Sequence, residues 1–422
     1  MLKVINYTKK NSYKKLEKFL NKRRGKRQSE TSTVIRILND IKKNKLIAVK
    51  KYERKFSSNN IIYPSIREIN QAINSLDKKV KKSIDKAYLR ILKFHKLQKP
   101  KDIKLIDKYK NKIEYKNIPL PSIGIYVPSN LPSSLLMNAI PARLAKIKNI
   151  YLSNPRIKSK LDPAVMYAAK KCGIKPSRII SVGGAQAIGH LAYIDKCSKI
   201  VGPGNLYVAS AKKIVSDDVG TESILAGPSE VTVIADKFSN INQVLLSLLA
   251  QSEHDKNCQS ILITNDKKLI SECNLKIKSF LKNSNRKKIV QKSLKNNGLI
   301  IYAKNKKKII ECANIISPEH LEILTKDFRS YKNKITNAGS IGLGKYSPVA
   351  SSDYAVGVNH VLGCYGSSKY ASGLNLSDFY KKYSQFELTK SGIESISKTA
   401  IELALYENLS FHALSIKSRL KV

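Results

Sequence analysis

Six histidines occur in this chain of 422 residues, and four of them lie in polar settings that could support chemistry. Gln251 and His254 are three residues apart in a segment with a helical pattern, so both side chains would leave one helix face and could reach a single metal ion. The competing interpretation is a satisfied polar pair on the surface. We interpret His95 and His190 as structural because both lie within predicted helices.

Glu319 and His320 follow Pro318 directly. A carboxylate beside an imidazole is the usual pair for proton transfer near neutral pH, and a loop or a helix start would let both side chains converge on a ligand. The alternative interpretation is the first turn of a helix, where an acidic residue is favoured. The local pattern leaves both interpretations open.

Further candidates lie nearer the C-terminus. Asp353 and His360 follow a stretch rich in Ser and Gly, where an aspartate can ligate a metal or cap a helix. Glu407 and His412 are five residues apart in the tail and do not share a helical face. One glutamine, two histidines and one aspartate would form a plausible zinc set of oxygen and nitrogen ligands. Local patterns alone do not select that set.

Two series of strands and helices must position these side chains. Short apolar runs alternate with Gly, Pro and Ser turns at 122–128, 149–153 and 178–182, and again at 231–235 and 260–264. Strands that alternate with helices predict parallel sheets with helices on both faces. We therefore predict an α/β protein with two doubly wound, Rossmann-like domains. Residues 1 to about 118 and the tail from about Asp378 have helical patterns and are predicted to be helical extensions.

The glycine-rich turns could bind phosphate groups. No G-x-G-x-x-G motif occurs, but Gly183-Gly184 and Gly202-Pro203-Gly204 each follow a predicted strand. Backbone N–H groups at such a turn can approach phosphates at a helix N-terminus. Plain turns without a ligand would look the same.

The chain carries 78 Lys and Arg against 31 Asp and Glu, a formal net charge of +47. Such a charge suggests nucleic-acid binding. However, no zinc finger, aromatic ribonucleoprotein motif or basic zipper is present. Lys, Asn and Ile share A/T-rich codons, so genome composition explains the lysines better. We predict no nucleic-acid partner and interpret basic runs such as Lys22-Arg23-Arg24 as solvated surface.

The sequence also predicts the compartment. No apolar run approaches the roughly 18 residues of a membrane span. The N-terminus lacks the apolar core of a signal peptide, although its basic, acid-poor composition is compatible with a transit peptide. The six cysteines form no C-x-x-C pair, which argues for free thiols in a reducing compartment and against a cysteine zinc ribbon. We therefore expect a cytoplasmic protein with no membrane partner.

Eight segments occur in an order and spacing that strongly resemble the histidinol dehydrogenases, over about residues 30–420. The segments are GIYVP (124–128), VGGAQAIG (182–189), VGPGN (201–205), AGPSEVTVIAD (226–236), LLAQSEHD (248–255), ISPEHLEI (316–323), NAGSIGLG (337–344) and SDYAVGVNHVLG (352–363). The segment FHKLQ (94–98) also resembles that family.

The resemblance implies a zinc- and NAD-dependent enzyme of histidine biosynthesis, with one Zn²⁺ per subunit. Members of this family oxidise L-histidinol to L-histidinal and then to L-histidine, using two NAD⁺. The family forms homodimers of intertwined subunits, in which the tail reaches the neighbouring active site. His412 and Glu407 would then complete the site of the partner subunit.

The resemblance also assigns roles to individual residues. The zinc ligands would be Gln251, His254, Asp353 and His412. The acid–base pair would be Glu319 and His320. The substrate would be contacted by Ser229, Gln251, His254, His320, Asp353, His360, Glu407 and His412. The NAD site would include Tyr126, Gln186 and Asn205.

With these roles, the domain prediction becomes specific. It has an N-terminal helical extension over 1–30 and a discontinuous first α/β domain over 31–125 and 231–375, which holds the metal and catalytic residues. A second α/β domain over 126–230 forms the NAD side. The tail over 376–422 serves dimerisation.

The chain departs from the family pattern at three places. Ser129-Asn130 replaces two glycines beside the expected cofactor site, Gly363-Cys364 replaces Pro-Thr, and Val349 replaces an acid. All expected zinc and acid–base positions are retained. Besides nucleic-acid binding, one further alternative is an oxidoreductase of this fold in which Cys258, four residues after His254, forms a covalent bond with the aldehyde.

Overall fold

The computed structural model describes residues 2–7, 11–24, 31–128, 130–222, 227–282 and 284–420. The helices are α1 (Ser12–Arg24), α2 (Thr31–Ser57), α3 (Ile66–Ser75), α4 (Lys78–Lys96), α5 (Pro132–Leu144), α6 (Pro163–Lys171), α7 (Gly184–Tyr193), α8 (Leu206–Val215), α9 (Ile241–Ser252), α10 (Lys267–Lys282), α11 (Lys287–Asn297), α12 (Lys306–Ile316), α13 (Val349–Tyr354), α14 (Lys390–Tyr406) and α15 (Ser410–Lys417). The strands are β1 (Lys3–Asn6), β2 (Ile103–Ile106), β3 (Lys112–Pro119), β4 (Ser122–Tyr126), β5 (Asn149–Ser153), β6 (Ile179–Ile180), β7 (Lys199–Val201), β8 (Gly220–Thr221), β9 (Glu230–Ala235), β10 (Gln259–Thr264), β11 (Gly298–Tyr302), β12 (His320–Ile323), β13 (Ser340–Leu343) and β14 (Tyr380–Glu387).

The first doubly wound unit is a five-stranded parallel sheet in the order β6-β5-β4-β7-β8. The chain adds strands on one side of β4 and then on the other, so the strand order reverses between β4 and β7. Open α/β sheets bind ligands at such a switch point, beyond the carboxyl ends of the strands. Tyr126 ends β4 at this point, and Gly202 follows β7.

The second unit is a six-stranded parallel sheet in the order β1-β11-β10-β9-β12-β13. Every residue of β9 and β10 is buried, as expected for strands covered by helices on both faces. Two apolar clusters pack on this sheet, one with α9 to α11 and the other with α1 and α12. The prediction of two doubly wound units with parallel sheets is thereby confirmed.

A third, antiparallel sheet has the order β14-β3-β2. It corrects the prediction that both ends of the chain are purely helical. β14 lies in the tail before α14, and seven of its eight residues are exposed, so it carries no apolar alternation in the sequence. β1 was missed for a similar reason, because a four-residue edge strand is too short to show a period.

The helices after residue 31 correct the predicted domain boundary. α2 packs with α7 and α8, and α3 and α4 pack with α5 and α6, so these helices cover the five-stranded sheet. The prediction assigned residues 31–125 to the unit of the six-stranded sheet, and it also placed β4 there. Instead β1, within the predicted extension over 1–30, joins the six-stranded sheet. Periodicity identifies which face of a helix is apolar, but not which sheet that face covers.

None of the helices in the described ranges is both long enough and apolar enough to cross a membrane.

The Phe379 side chain provides a test of how the tail is anchored. It is fully buried in the cluster that covers one face of the five-stranded sheet, and its carbonyl oxygen accepts the Leu120 N–H at 3.0 Å. We expect Phe379→Ala to lower the free energy of unfolding by about 3–5 kcal/mol, because it leaves a cavity. Phe238→Ala is the control, since that ring is 61% exposed, and it should cost about 0.5 kcal/mol or less. Urea denaturation measures both values, and equal effects would contradict the anchoring role.

Candidate active site

A cavity of about 180 Å³ lies where the carboxyl ends of the five-stranded sheet face the amino ends of the six-stranded sheet. Pro203 and Gly204, which follow β7, line it from the first side. Ser229 precedes β9 and Glu319 precedes β12, and both line it from the second side. Both sheets therefore contribute to one site, although the residues lie far apart in sequence.

Gln251 and His254 both line the cavity, as the spacing suggested. However, α9 ends at Ser252, so only Gln251 lies on the helix, and His254 lies in the turn that follows. Gln251 is buried, whereas His254 is exposed at the cavity mouth. The pair converges because the chain turns there, rather than because both residues share one helix face.

Asp353 lies on the short helix α13 and is held in place from β12. The Glu322 carboxylate accepts the Val349 N–H at 2.6 Å and the Ser247 hydroxyl at 2.6 Å, which fixes the start of α13. Val349 stands where the resembling family has an acid, and here β12 provides the carboxylate at this helix end. Burial, with Glu322 nearby, raises the pKa of Asp353 to about 7.

His320 and His360 lie on either side of Asp353. His320 Nε2 is 3.9 Å from Asp353 Oδ1, and His360 Nδ1 is 4.0 Å from the same oxygen. Burial, together with His360 and His254, lowers the pKa of His320 to about 3. Burial lowers the pKa of His360 to about 4, although its hydrogen bond to the Asp353 carbonyl oxygen acts in the opposite direction. Both imidazoles are therefore neutral at neutral pH and able to accept a proton or a hydrogen bond.

The hydrogen bonds of His360 define its tautomer. Its Nδ1 lies 2.8 Å from the Asp353 carbonyl oxygen, which can only accept, so Nδ1 carries the proton. Nε2 of the neutral ring is then an acceptor, and the Ser134 hydroxyl donates to it at 3.4 Å. Ser134, at the start of α5, is a cavity residue that the sequence did not reveal.

His320 is the first residue of β12 and Glu319 directly precedes it, so neither residue lies in a helix turn. The helix-start interpretation is therefore wrong. Glu319 is buried, and its Oε2 accepts the Glu230 N–H at 2.6 Å. Burial raises the pKa of Glu319 to about 8, and the nearby Glu230 and Asp353 contribute in the same direction. His320 Nδ1 is buried without a hydrogen-bond partner among the described residues.

The prediction that the basic run Lys22-Arg23-Arg24 is solvated surface is wrong for Arg23. The Arg23 side chain is 7% exposed, and it pairs with Glu230 behind the cavity wall. A buried ion pair requires good geometry to offset the loss of solvation. In a chain with so many basic residues, no local signal distinguishes an arginine that points inward from its solvated neighbours.

Glu407 and His412 do not line the cavity of their own chain. Glu407 caps the end of α14 and His412 lies on α15, and both are exposed. The tail also exposes large apolar side chains, including Tyr406 at 87% and Phe411 at 82%. Within a single chain, the tail therefore adds nothing to the site.

The residues expected at the NAD site belong to the unit of the five-stranded sheet, with Gln186 on α7. Tyr126 is buried at the end of β4, and Asn205 caps α8 by accepting the Val208 N–H. The Glu53 carboxylate accepts both the Gly183 N–H at 2.8 Å and the Gln186 side-chain amide at 2.7 Å. An internal carboxylate therefore takes the position that a phosphate would need at the Gly183-Gly184 turn.

The Gly202-Pro203-Gly204 turn remains available at the switch point. Gly202 has φ +115°, and a Cβ atom there would lie 2.0 Å from the Tyr126 carbonyl oxygen. This close backbone approach requires glycine. Ser129-Asn130, which replaces two glycines of the family pattern, lies nearby, and Ser129 is outside the described residues.

The cysteines lend no support to a covalent thiol mechanism. Cys258 is fully buried, does not line the cavity, and burial raises its pKa to about 12. Cys364, one of the two residues that depart from the family's Pro-Thr, does line the cavity. Its Sγ donates to the Gly227 carbonyl oxygen at 3.4 Å, and burial raises its pKa as well. Neither thiol is activated as a nucleophile.

Three side chains of the cavity carry donor atoms of the kinds that bind zinc. Within the described ranges, no three His, Cys, Asp or Glu side chains come close enough to hold a metal ion. Gln251, His254 and Asp353 nevertheless line the same cavity. An amide oxygen, an imidazole and a partly buried carboxylate are suitable zinc ligands, and a cation would stabilise the charged form of Asp353. The residue types of these three side chains therefore fit Zn²⁺.

Comparison with known proteins identifies the family. The family model described as histidinol dehydrogenase matches residues 20–420. The chain belongs to the histidinol dehydrogenase family. A histidinol dehydrogenase of Pelagibacter ubique is 50% identical over the full length of both chains, and one of Methanocaldococcus jannaschii is 40% identical over 96% of both. The crystal structure of histidinol dehydrogenase from Elizabethkingia anophelis superposes with a TM-score of 0.91 at 33% identity, covering 100% of this chain and 98% of that one.

These findings confirm the predicted family and the prediction of an oxidoreductase. The expected roles of individual residues stay predictions. What the geometry adds is that Ser229, Gln251, His254, Glu319, His320, Asp353 and His360 all line one cavity of the histidinol dehydrogenase fold.

The raised pKa of Glu319 predicts a pH dependence of stability. The folded chain holds this proton up to about pH 8, whereas an ordinary glutamate releases it near 4.5. The folded state therefore loses stability as the pH rises between these values, by up to about 5 kcal/mol. Glu319→Gln removes this titration, so we expect the variant to gain stability relative to the parent protein from pH 5 to about pH 9 in urea denaturation.

The exposed Glu394 on α14 provides the control, since Glu394→Gln changes a surface side chain and should alter stability by about 0.5 kcal/mol or less. A constant difference between Glu319→Gln and the parent protein would contradict the buried, protonated carboxyl group.

Proposed function

We propose that the protein oxidises L-histidinol to L-histidine through L-histidinal, using two NAD⁺ and one Zn²⁺ per subunit. The observation that carries this proposal is the convergence of Gln251, His254 and Asp353 with Glu319 and His320 on one cavity of this family fold. The protonation states support the proposal, because the neutral imidazoles of His320 and His360 and the protonated carboxyl group of Glu319 line the same cavity.

Zn²⁺ would be held by Gln251, His254, Asp353 and the partner subunit's His412. When bound, Zn²⁺ would supply a fixed positive charge for the nitrogen atoms of the substrate, and NAD⁺ would supply the hydride acceptor. The Gly202-Pro203-Gly204 turn at the switch point supports a cofactor position on that side, because its backbone borders the cavity.

His320 is suited to take the alcohol proton in the first oxidation. Its ring is neutral at the pH of the reaction, and Nδ1 has no partner among the described residues. Because the imidazole gains a positive charge with the proton, the nearby Asp353 would stabilise the protonated ring. Loss of the proton from oxygen lets the carbon release hydride, which yields the aldehyde.

Glu319 is suited to the second oxidation. The aldehyde must add water before it can lose another hydride, and a general base that accepts a proton from water speeds this addition. A carboxyl group with a pKa of about 8 exchanges its proton near the pH of the reaction. The Glu230 N–H fixes the carboxylate at the cavity wall, so its free oxygen is available for water.

Ser134 and His360 extend the polar wall of the cavity. His360 accepts from the Ser134 hydroxyl, and its ring is oriented through the Asp353 backbone. We propose that His360, together with Ser229, contacts the substrate. Such contacts orient the reacting carbon without taking part in proton transfer.

The homodimer would complete the site. A groove of about 820 Å³ adjoins the cavity and shares Gln251, His254 and Asp353 with it. Leu246 and Leu281 contribute to its apolar walls. The exposed apolar side chains of α14 and α15 match such a groove, and a partner's tail there would bring Glu407 and His412 to the site. Ligands from two chains would make zinc binding and dimerisation support each other.

The direct test is NADH formation from L-histidinol by the zinc-loaded protein. We expect two NADH per histidinol consumed, with L-histidine as the product. Failure to form histidinol-dependent NADH at about pH 8–9, where general-base catalysis is favoured, would overturn the proposal.

Two histidine variants separate metal binding from proton transfer. We expect His254→Asn to lower the bound zinc and to abolish both oxidations, because it removes a ligand. His320→Asn should keep the zinc and slow turnover by about 10²–10⁴-fold, the range for loss of a general base. Zinc content and steady-state rates measure both effects. Near-normal turnover of His320→Asn would show that His320 is not the general base.

Shared active sites predict complementation between two inactive variants. His412→Asn and His254→Asn should each be inactive alone. In mixed dimers, one of the two sites contains an intact His254 and an intact His412 from the other chain. Equal amounts, unfolded and refolded together, should recover about one quarter of the parent activity, because half of the dimers are mixed. If the mixture stays inactive while the refolded parent protein is active, each site lies within one chain.

A further inference from the structure

The N-terminal helix α1 places one arginine behind the active site. Among its described side chains, Ser12, Leu16 and Arg23 are buried, and the others are partly or fully exposed. Leu16 packs into the cluster on the six-stranded sheet. Arg23 lies at the opposite end of the helix and extends away from that cluster, towards the chain segments that form the cavity wall.

The Arg23 guanidinium contacts several segments of that wall. Nη1 donates to Glu230 Oε1, and Nη2 donates to the Pro228 carbonyl oxygen. Nε donates to the Asn257 carbonyl oxygen at 3.3 Å. The guanidinium carbon is 4.8 Å from the centre of the Tyr365 ring, within the range of a cation–π contact.

Glu230 connects Arg23 to the acid–base pair by hydrogen bonds. Its Oε1 also accepts the Tyr365 N–H at 2.7 Å, and its own N–H donates to Glu319 Oε2 at 2.6 Å. The Tyr365 ring packs against Gly227, where a Cβ atom would lie 2.2 Å from the ring. The wall from Gly227 to Glu230 is therefore held through Glu230 Oε1, which accepts from both Arg23 and Tyr365.

We infer that Arg23 is a positioning residue of the active site, which acts through Glu230 to hold Glu319 and the loop that carries Ser229. Arg23 itself does not line the cavity. This inference rests on the proposed function for the roles of Glu319 and Ser229. The supporting contacts lie within the cavity wall, so the inference can also be tested by a measurement that does not depend on enzyme activity.

The physical reason is the cost of burying Glu230 without its cation. The Glu230 side chain is 2% exposed, and its Oε2 has no hydrogen-bond partner among the described residues. If Arg23 is removed, an uncompensated buried charge remains, and the wall must shift, admit water or take up a proton. Catalysis is sensitive to displacements of about 1 Å at the reacting groups.

The first test compares two glutamine variants in the full-length zinc protein. Arg23→Gln should lower kcat by about 10–100-fold, the range for residues that orient a catalytic group. Zinc content and the KM for L-histidinol should stay within about threefold of the parent, because no ligand is removed. Arg23→Lys should fall between the parent and Arg23→Gln, since it keeps the charge but cannot reach all the acceptors at once.

Arg156→Gln is the matched control. Arg156 forms an ion pair with Glu68, its side chain is 3% exposed, and it does not line the cavity. This variant also removes a buried guanidinium from an ion pair, but its partner Glu68 lies on α3, in the unit of the five-stranded sheet, and is 31% exposed. Its kcat should stay within about threefold of the parent.

The second test maps the reactivity of buried thiols and does not depend on activity. Cys364 bonds to the Gly227 carbonyl oxygen, and Cys258 follows Asn257, so both lie beside the contacts of Arg23. Cys172 and Cys197 are buried in the clusters of the five-stranded sheet. In Arg23→Gln, native-state alkylation followed by mass spectrometry should show Cys364 and Cys258 reacting about tenfold faster or more, with Cys172 and Cys197 unchanged.

The outcomes separate the inference from the proposed function. If kcat and the thiol pattern of Arg23→Gln both match the parent, the inference is overturned. It is also overturned if all the thiols react faster to the same extent, because Arg23 would then serve only global stability. If the parent protein forms no NADH from L-histidinol, the proposed function fails, and the thiol pattern alone decides whether Arg23 holds the wall.

Discussion

The buried carboxylate of Glu230 is the group on which the geometry of the cavity depends. One of its oxygens accepts from Arg23 and from the Tyr365 N–H, and its backbone N–H fixes Glu319. A buried carboxylate costs several kcal/mol unless a cation and hydrogen bonds compensate it. The fold meets this requirement with an arginine from its first helix, and that helix thereby becomes part of the support for a site formed mainly by residues after 200.

The strands that could be predicted are those that carry their own signal. β5 was predicted with its observed bounds, and β9 and β10 were each predicted to within one residue, because parallel strands buried on both faces are continuous apolar runs. β1 and β14 were not predicted. Each pairs with a strand more than 250 residues away in the chain, and each is largely exposed, so nothing local marks either strand.

The site was predictable only in part. The residue types at Gln251, His254 and Glu319 indicated metal and proton chemistry, but their spacing left alternatives open, and the family resemblance was needed to select the set. The structure of a single chain cannot show His412 at a site, because the site it is expected to complete belongs to the partner subunit. Arg23 was missed because one inward-pointing arginine resembles its many solvated neighbours. The charge of +47 suggested a polyanion partner, and the many basic residues behind it made Arg23 impossible to distinguish in the sequence.

The pairing of β1 with β11 has a consequence for synthesis in the cell. Lys3 lies opposite Leu299, so β1 has no partner until nearly three hundred further residues have been added. At about 5–20 residues per second, this delay is roughly 15–60 s. During that time the apolar side of α1 stays uncovered on the ribosome-bound chain and is a target for chaperones. The cavity wall behind Glu319 can close only after the chain has passed Tyr365, so no nascent fragment carries a finished site.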